Sequence, residues 1–106
     1  MNAQFKKGVL ELCVLSRLKR KDAYGYELAE KISARIEIAE GTLYPLLRKL
    51  KEDGLCETYL SDDSSGPPRK YYRITRRGRE QERLLRLEWL DFVEQVGILM
   101  EGEEDE

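Results

Sequence analysis

At 106 residues, with 38% charged side chains, the chain can build one compact domain but not two. The absence of histidine excludes a Cys/His zinc site and a histidine-based catalytic triad, and Cys13 and Cys56, set apart in apolar patterns, read as two buried thiols. The net charge of −2 hides an asymmetry: residues 1–80 hold 17 Lys+Arg against 12 Asp+Glu, while residues 81–106 hold 2 against 9. That division suggests a basic working surface and a solvated acidic tail, or ordinary surface charge. No leader pattern opens the chain and no apolar run is long enough to cross a bilayer, so the expectation is a soluble cytoplasmic protein.

The first predicted helix, "FKKGVLELCVLSRL" (5–18), is apolar on almost every side. One small core can cover only one of those faces, so the other is expected to meet a second chain. A loop at 19–22 follows, with Asp22 a candidate N-cap for a second helix over 23–36. Gly25, near that helix's start, costs about 1 kcal/mol against alanine and would allow close packing of a crossing helix. "RIEI" (35–38) alternates and suggests a short strand.

The third helix, within "EGTLYPLLRKLKEDGL" (40–55), buries Leu43, Leu46, Leu47 and Leu50 and stops at Gly54. Pro45 interrupts it, and two registers are open. Either the helix begins near Thr42 with Pro45 in its first turn, or it begins near Ala39 and bends at Pro45.

"LCETYLS" (55–61) and "RKYYRI" (69–74) alternate and flank the polar turn "DDSSGPP", which makes a β-hairpin with a long loop. Tyr71 and Tyr72 point to opposite faces, so at most one is core. Thr75 caps a fourth helix over about 76–100, in which Leu85, Trp89, Phe92, Val96 and Leu99 form a seam at spacings of 4, 3, 4 and 3. Residues 101–106 read as a disordered acidic tail. The order of elements, three helices and then a hairpin, is that of a winged helix-turn-helix. The fold class is mainly α with a small β-hairpin.

Four stretches in this order carry a resemblance: "YGYEL" (24–28), "EGTLYPLLRKLKEDGL" (40–55), "GPPRKYYRIT" (66–75) and "RRG" (76–78). Together they resemble the PadR family of bacterial transcriptional regulators, over about residues 5–100. The resemblance implies a homodimer on palindromic double-stranded DNA, usually a repressor, and matches the short subfamily with one C-terminal helix. Residues 1–75 would be the DNA-binding domain, 76–100 the dimerising helix and 101–106 the tail. The resemblance also favours the helix start near Ala39. The chain departs from the family pattern at Ala39, where a capping Ser or Asn is common, and at Asp62 and Asp63 on the turn tip, which oppose phosphate.

In such a fold the third helix enters the major groove. Its outward residues Thr42, Tyr44, Pro45, Arg48 and Lys49 are the candidates: Arg48 for a guanine edge, Tyr44 and Pro45 for a thymine methyl, free first-turn N–H groups for phosphate. Tyr44 packing under the wing and Pro45 merely shaping the turn are the bland readings. Arg69 and Lys70 at the second strand's base are candidate phosphate grips, with Lys6 and Lys7 as minor additions. Leu85, Trp89, Phe92, Val96 and Leu99 are the candidate dimer interface. Trp89 and Phe92 could stack a planar aromatic effector there, as in some short family members, and Glu88 and Asp91 would suit a cationic one. Neither a cofactor nor an enzymatic constellation is expected. The alternative is a protein-interaction module on the same fold, without specific DNA binding.

Overall fold

The computed structural model describes residues 3–39, 41–62 and 66–102. The elements are α1 (Ala3–Arg20), β1 (Ala23–Tyr24), α2 (Gly25–Ser33), α3 (Leu43–Glu52), β2 (Cys56–Ser61), β3 (Arg69–Ile74) and α4 (Arg76–Glu101). The fold is mainly helical with a small three-stranded antiparallel sheet in the order β1-β3-β2.

The core is built where the sequence periodicities converge. Leu10, Val14, Leu15 and Leu18 of α1 meet Leu28 and Ile32 of α2 and Leu43, Leu46, Leu47 and Leu50 of α3. Cys56, Tyr72 and Ile74 close the core from the sheet. Tyr72 is therefore the core tyrosine and Tyr71 its outward neighbour. Burial pushes the Cys56 thiol up to about 11 and also raises Cys13, so neither is a ready nucleophile.

Three sequence expectations are corrected. "RIEI" is no strand: residues 36–38 are irregular, and Ile36 and Ile38 satisfy their alternation by packing half-buried on the core. The free edge of β3 is instead taken by Ala23 and Tyr24, paired with Tyr72 and Tyr71. Consequently α2 begins at Gly25, not 23, and ends at Ser33. Asp22 does not cap it; the N-cap is Tyr24, without a side-chain bond, and Asp22 accepts the Tyr59 hydroxyl at 2.7 Å.

α4 begins as expected. The Thr75 oxygen accepts the Gly78 N–H at 3.0 Å while its hydroxyl donates to the Gly54 carbonyl at 2.7 Å, tying the helix start to the end of α3. Gly78 is required there, since an added Cβ would lie 2.0 Å from the Leu55 carbonyl oxygen. α4 then runs back along α1 and ends at Gly102, whose φ of 75° favours glycine. Glu101 is thus helical, and 103–106 lie outside the described residues.

The α1–α4 contact contains a buried charge. Glu82 is fully covered and accepts Ser16 Oγ at 2.8 Å, Lys19 Nζ at 3.3 Å and Arg86 of its own helix. Burial by itself would raise its carboxyl, but the three donors together hold it below the usual carboxylate range.

Candidate nucleic-acid interface

α3 displays one polar face because its four leucines are in the core. Thr42, Tyr44, Pro45, Arg48 and Lys49 are all exposed, between α2 on one side and the hairpin on the other. The helix starts at Leu43 with Thr42 as N-cap, so the register that puts Pro45 in the first turn is correct and the start near Ala39 is not. Pro45 is the third helical residue, where no intrahelical partner exists for its missing N–H. Its i−4 neighbour Gly41 has a φ of 85° and lies outside the helix, which removes the usual ring–carbonyl clash. The Thr42 side chain makes no capping bond.

Tyr44 has a double role. It is 45% exposed, yet its ring edge rests where a Gly25 Cβ would sit, 3.1 Å from that position. Gly25 therefore lets α2 and α3 approach, as the sequence suggested. Burial raises the Tyr72 phenol, and the Arg48 charge partly offsets that rise. Lys49 is paired with Asp53 at 3.2 Å on the solvent side, so a phosphate would compete with Asp53 for it.

The hairpin separates Arg69 from Lys70. Arg69 lies on the outer face, its guanidinium 4.5 Å from the Tyr24 ring centre. There Tyr24, Tyr71 and Tyr59 form one cross-strand row, with centroid separations of 5.6 and 5.7 Å. Arg73 closes that row over Tyr59 at 4.8 Å and pairs with Glu57 at 3.0 Å. Lys70 is on the opposite face, across from the exposed Leu60 and on the side that packs against the helices. Asp62 is exposed near the tip, and Asp63 lies outside the described residues. Lys7 is exposed on α1; the Lys6 side chain lies outside the described residues.

Tyr26, which the sequence reading did not single out, is 59% exposed at the start of α2, and the neighbouring Glu30 carboxylate raises its phenol.

At the other end, Leu85, Trp89 and Phe92 line a notch of about 360 Å³ with Gly8, Val9, Leu12 and Glu88. The Trp89 and Phe92 rings are 6.3 Å apart and inclined by 36°. Val96 is half-buried and Leu99 is 70% exposed, so the seam is only partly covered by its own chain. Glu88 borders the notch and Asp91 does not. Among the described residues, no helix is long and apolar enough to cross a membrane and no cluster of three or more His, Cys, Asp or Glu could hold a metal.

Comparison with known proteins agrees with this architecture. A PadR-like transcriptional regulator from Bacillus cereus superposes with a TM-score of 0.86 at 39% identity, over 95% of this chain and all of that one. A Streptococcus transcriptional regulator superposes with a TM-score of 0.86 at 34% identity, over 93% and 99% of the two chains. An uncharacterized protein of Lysinibacillus sphaericus is 38% identical over 100 residues, 91% of this chain and 92% of that protein. The model of the PadR-like transcriptional regulator family matches residues 14–94. The chain belongs to the PadR-like family of transcriptional regulators.

Proposed function

We propose that the protein, a DNA-binding regulator and not an enzyme by family, acts as a homodimeric repressor on a palindromic operator. Residues 1–75 serve as the reading domain and 76–100 as the dimerising helix. The observation that carries this reading is the exposed face of α3, where Thr42, Tyr44, Pro45, Arg48 and Lys49 share one side of a helix anchored by four buried leucines. Arg48 reads a base edge, Pro45 and the exposed part of Tyr44 offer apolar surface, and Lys70 holds phosphate. Arg69 contributes once it leaves the Tyr24 ring. Two such helices about one turn of DNA apart, roughly 34–36 Å, would read the two half-sites.

Selection from a random DNA pool tests the reading and yields the operator. About three phosphate contacts per subunit release roughly six counterions, so log K should fall with log salt at a slope near −5. Failure to enrich any sequence, with a flat salt response, refutes it. Arg48→Ala should relax preference at one position per half-site at a cost of about 1–3 kcal/mol, whereas Lys70→Ala should weaken all sequences alike.

The notch at Trp89 and Phe92 is where a flat aromatic effector would bind, with Glu88 favouring a cationic one. Trp89 is the only tryptophan, so its fluorescence reports occupancy directly. Planar cations that leave that fluorescence and operator affinity unchanged would remove the effector from the proposal.

A further inference from the structure

Two grooves on the surface are rimmed by basic side chains, and they differ in how that charge is answered. In the groove where α1, α3 and α4 meet, Lys19, Lys49 and Arg83 are already paired with Glu82, Asp53 and Glu80. The second groove, of about 500 Å³, runs between α1 and the end of α2. Its rim carries Arg17, Lys31 and Arg35, all three exposed, and no acidic side chain lines it. Among the described residues, none of the three forms an ion pair or lies over an aromatic ring.

The floor of this groove is aliphatic. Ile32 belongs to the core, and Leu12, Cys13 and Ile36 are half-buried. Ser16 also lines it, but its hydroxyl is committed to Glu82 at 2.8 Å. Aliphatic surface beneath three like charges is unfavourable in water on two counts: the floor stays hydrated, and the cations repel one another. One kind of occupant relieves both, an apolar chain that ends in an anion. The volume suits it, since small-molecule sites run to about 300–1,000 Å³. No aromatic side chain lines the groove, so a flat ring finds nothing to stack on. The notch at Trp89 and Phe92, bordered by Glu88, has the opposite character.

We propose that the α1–α2 groove binds an amphipathic anion, a flexible aliphatic chain with a single carboxylate or phosphate head. The chain covers Leu12, Ile32 and Ile36, while Arg17 and Arg35 hold the head and Lys31 adds charge. The site uses no residue of the exposed α3 face and none of the aromatic rings of the notch.

Cys13 supplies the readout. Its thiol lines the groove, whereas Cys56 is 2% exposed and serves as the internal control. Alkylation of the full chain with N-ethylmaleimide, followed by mass spectrometry, gives the rate at each cysteine. Decanoate and decyl phosphate are the probes, used below their micelle-forming concentrations. At about ten times its Kd each should slow Cys13 about tenfold, and the tighter of the two identifies the head group. Decyltrimethylammonium should leave the rate unchanged. Shortening the acid should weaken protection about fourfold for each methylene that leaves the floor. The Arg17→Gln/Arg35→Gln variant, changed at two exposed positions, should bind both anions about tenfold more weakly, with circular dichroism reporting the wild-type fold. Absence of protection by either anion, equal protection by the ammonium compound, or an unaffected double variant overturns the proposal. So does a Cys13 rate that falls with rising protein concentration in the absence of ligand, because a second copy of the chain then covers the groove.

Discussion

Replacing Glu82 with glutamine should weaken the protein by about 2 kcal/mol at neutral pH. The carboxylate has no solvent exposure and takes two hydrogen bonds from α1 and one from its own helix. Breaking a fully buried ion pair costs about 3–5 kcal/mol, because the orphaned charge stays out of water. Here the orphaned cations do not: Lys19 and Arg86 keep 44% and 48% of their side-chain surface exposed and rehydrate when the carboxylate is lost. Each charge-assisted bond is therefore discounted to about 1 kcal/mol, and the amide retains one acceptor for Ser16. Denaturant unfolding at fixed protein concentration reads the difference as a shift in midpoint at constant slope. The effect should depend on pH with a definite sign. The folded-state carboxyl is lowered, so its contribution is complete above the unfolded value of about 4.3 and fades as pH falls through the folded value. The gap between wild type and Glu82→Gln should close in that acid range. A variant within about 0.5 kcal/mol of wild type at pH 7, or a gap independent of pH, would refute the assignment of this network as the α1–α4 lock.

Gly78→Ala should destabilise by about 3 kcal/mol or more, since the new Cβ would meet backbone at 2.0 Å and the Ile74 side chain at 2.8 Å; thermal unfolding measures it. Gly8→Ala, with nothing within 4 Å of its Cβ in the interior of α1, should instead raise stability by about 0.5–1 kcal/mol in the same assay. Asp22→Asn should bring the Tyr59 phenol down toward its ordinary range, because the hydrogen bond to Asp22 is the main cause of its rise; carbon-detected titration of the ring resolves it.

The parts of the fold legible in the sequence were those fixed by local chemistry. The leucines of α3 could face nothing but the core, Thr75 stood where a cap was needed, and alternation in 69–74 separated Tyr72 from Tyr71. What failed was pairing between distant segments. "RIEI" has the alternation of a strand, but strand identity is settled by a partner, and β3 is paired on both edges by Ala23–Tyr24 and Cys56–Ser61. Asp22 has the chemistry of an N-cap, yet Tyr59 lies 37 residues on in sequence and within 2.7 Å in space. The start of α3 was misjudged for a different reason. Resemblance to the family favours Ala39, whereas the helix starts at Leu43, where the proline loses no bond and Gly41 lies outside the helix.

The exposed face of α3 was legible residue by residue, but its electrostatic condition was not. Lys49 is engaged by Asp53 and Arg69 by the Tyr24 ring, and only the three-dimensional arrangement shows these two contacts. Among the described residues Arg48 and Lys70 form no ion pair and lie over no aromatic ring, which is why they carry the sharper mutational expectations.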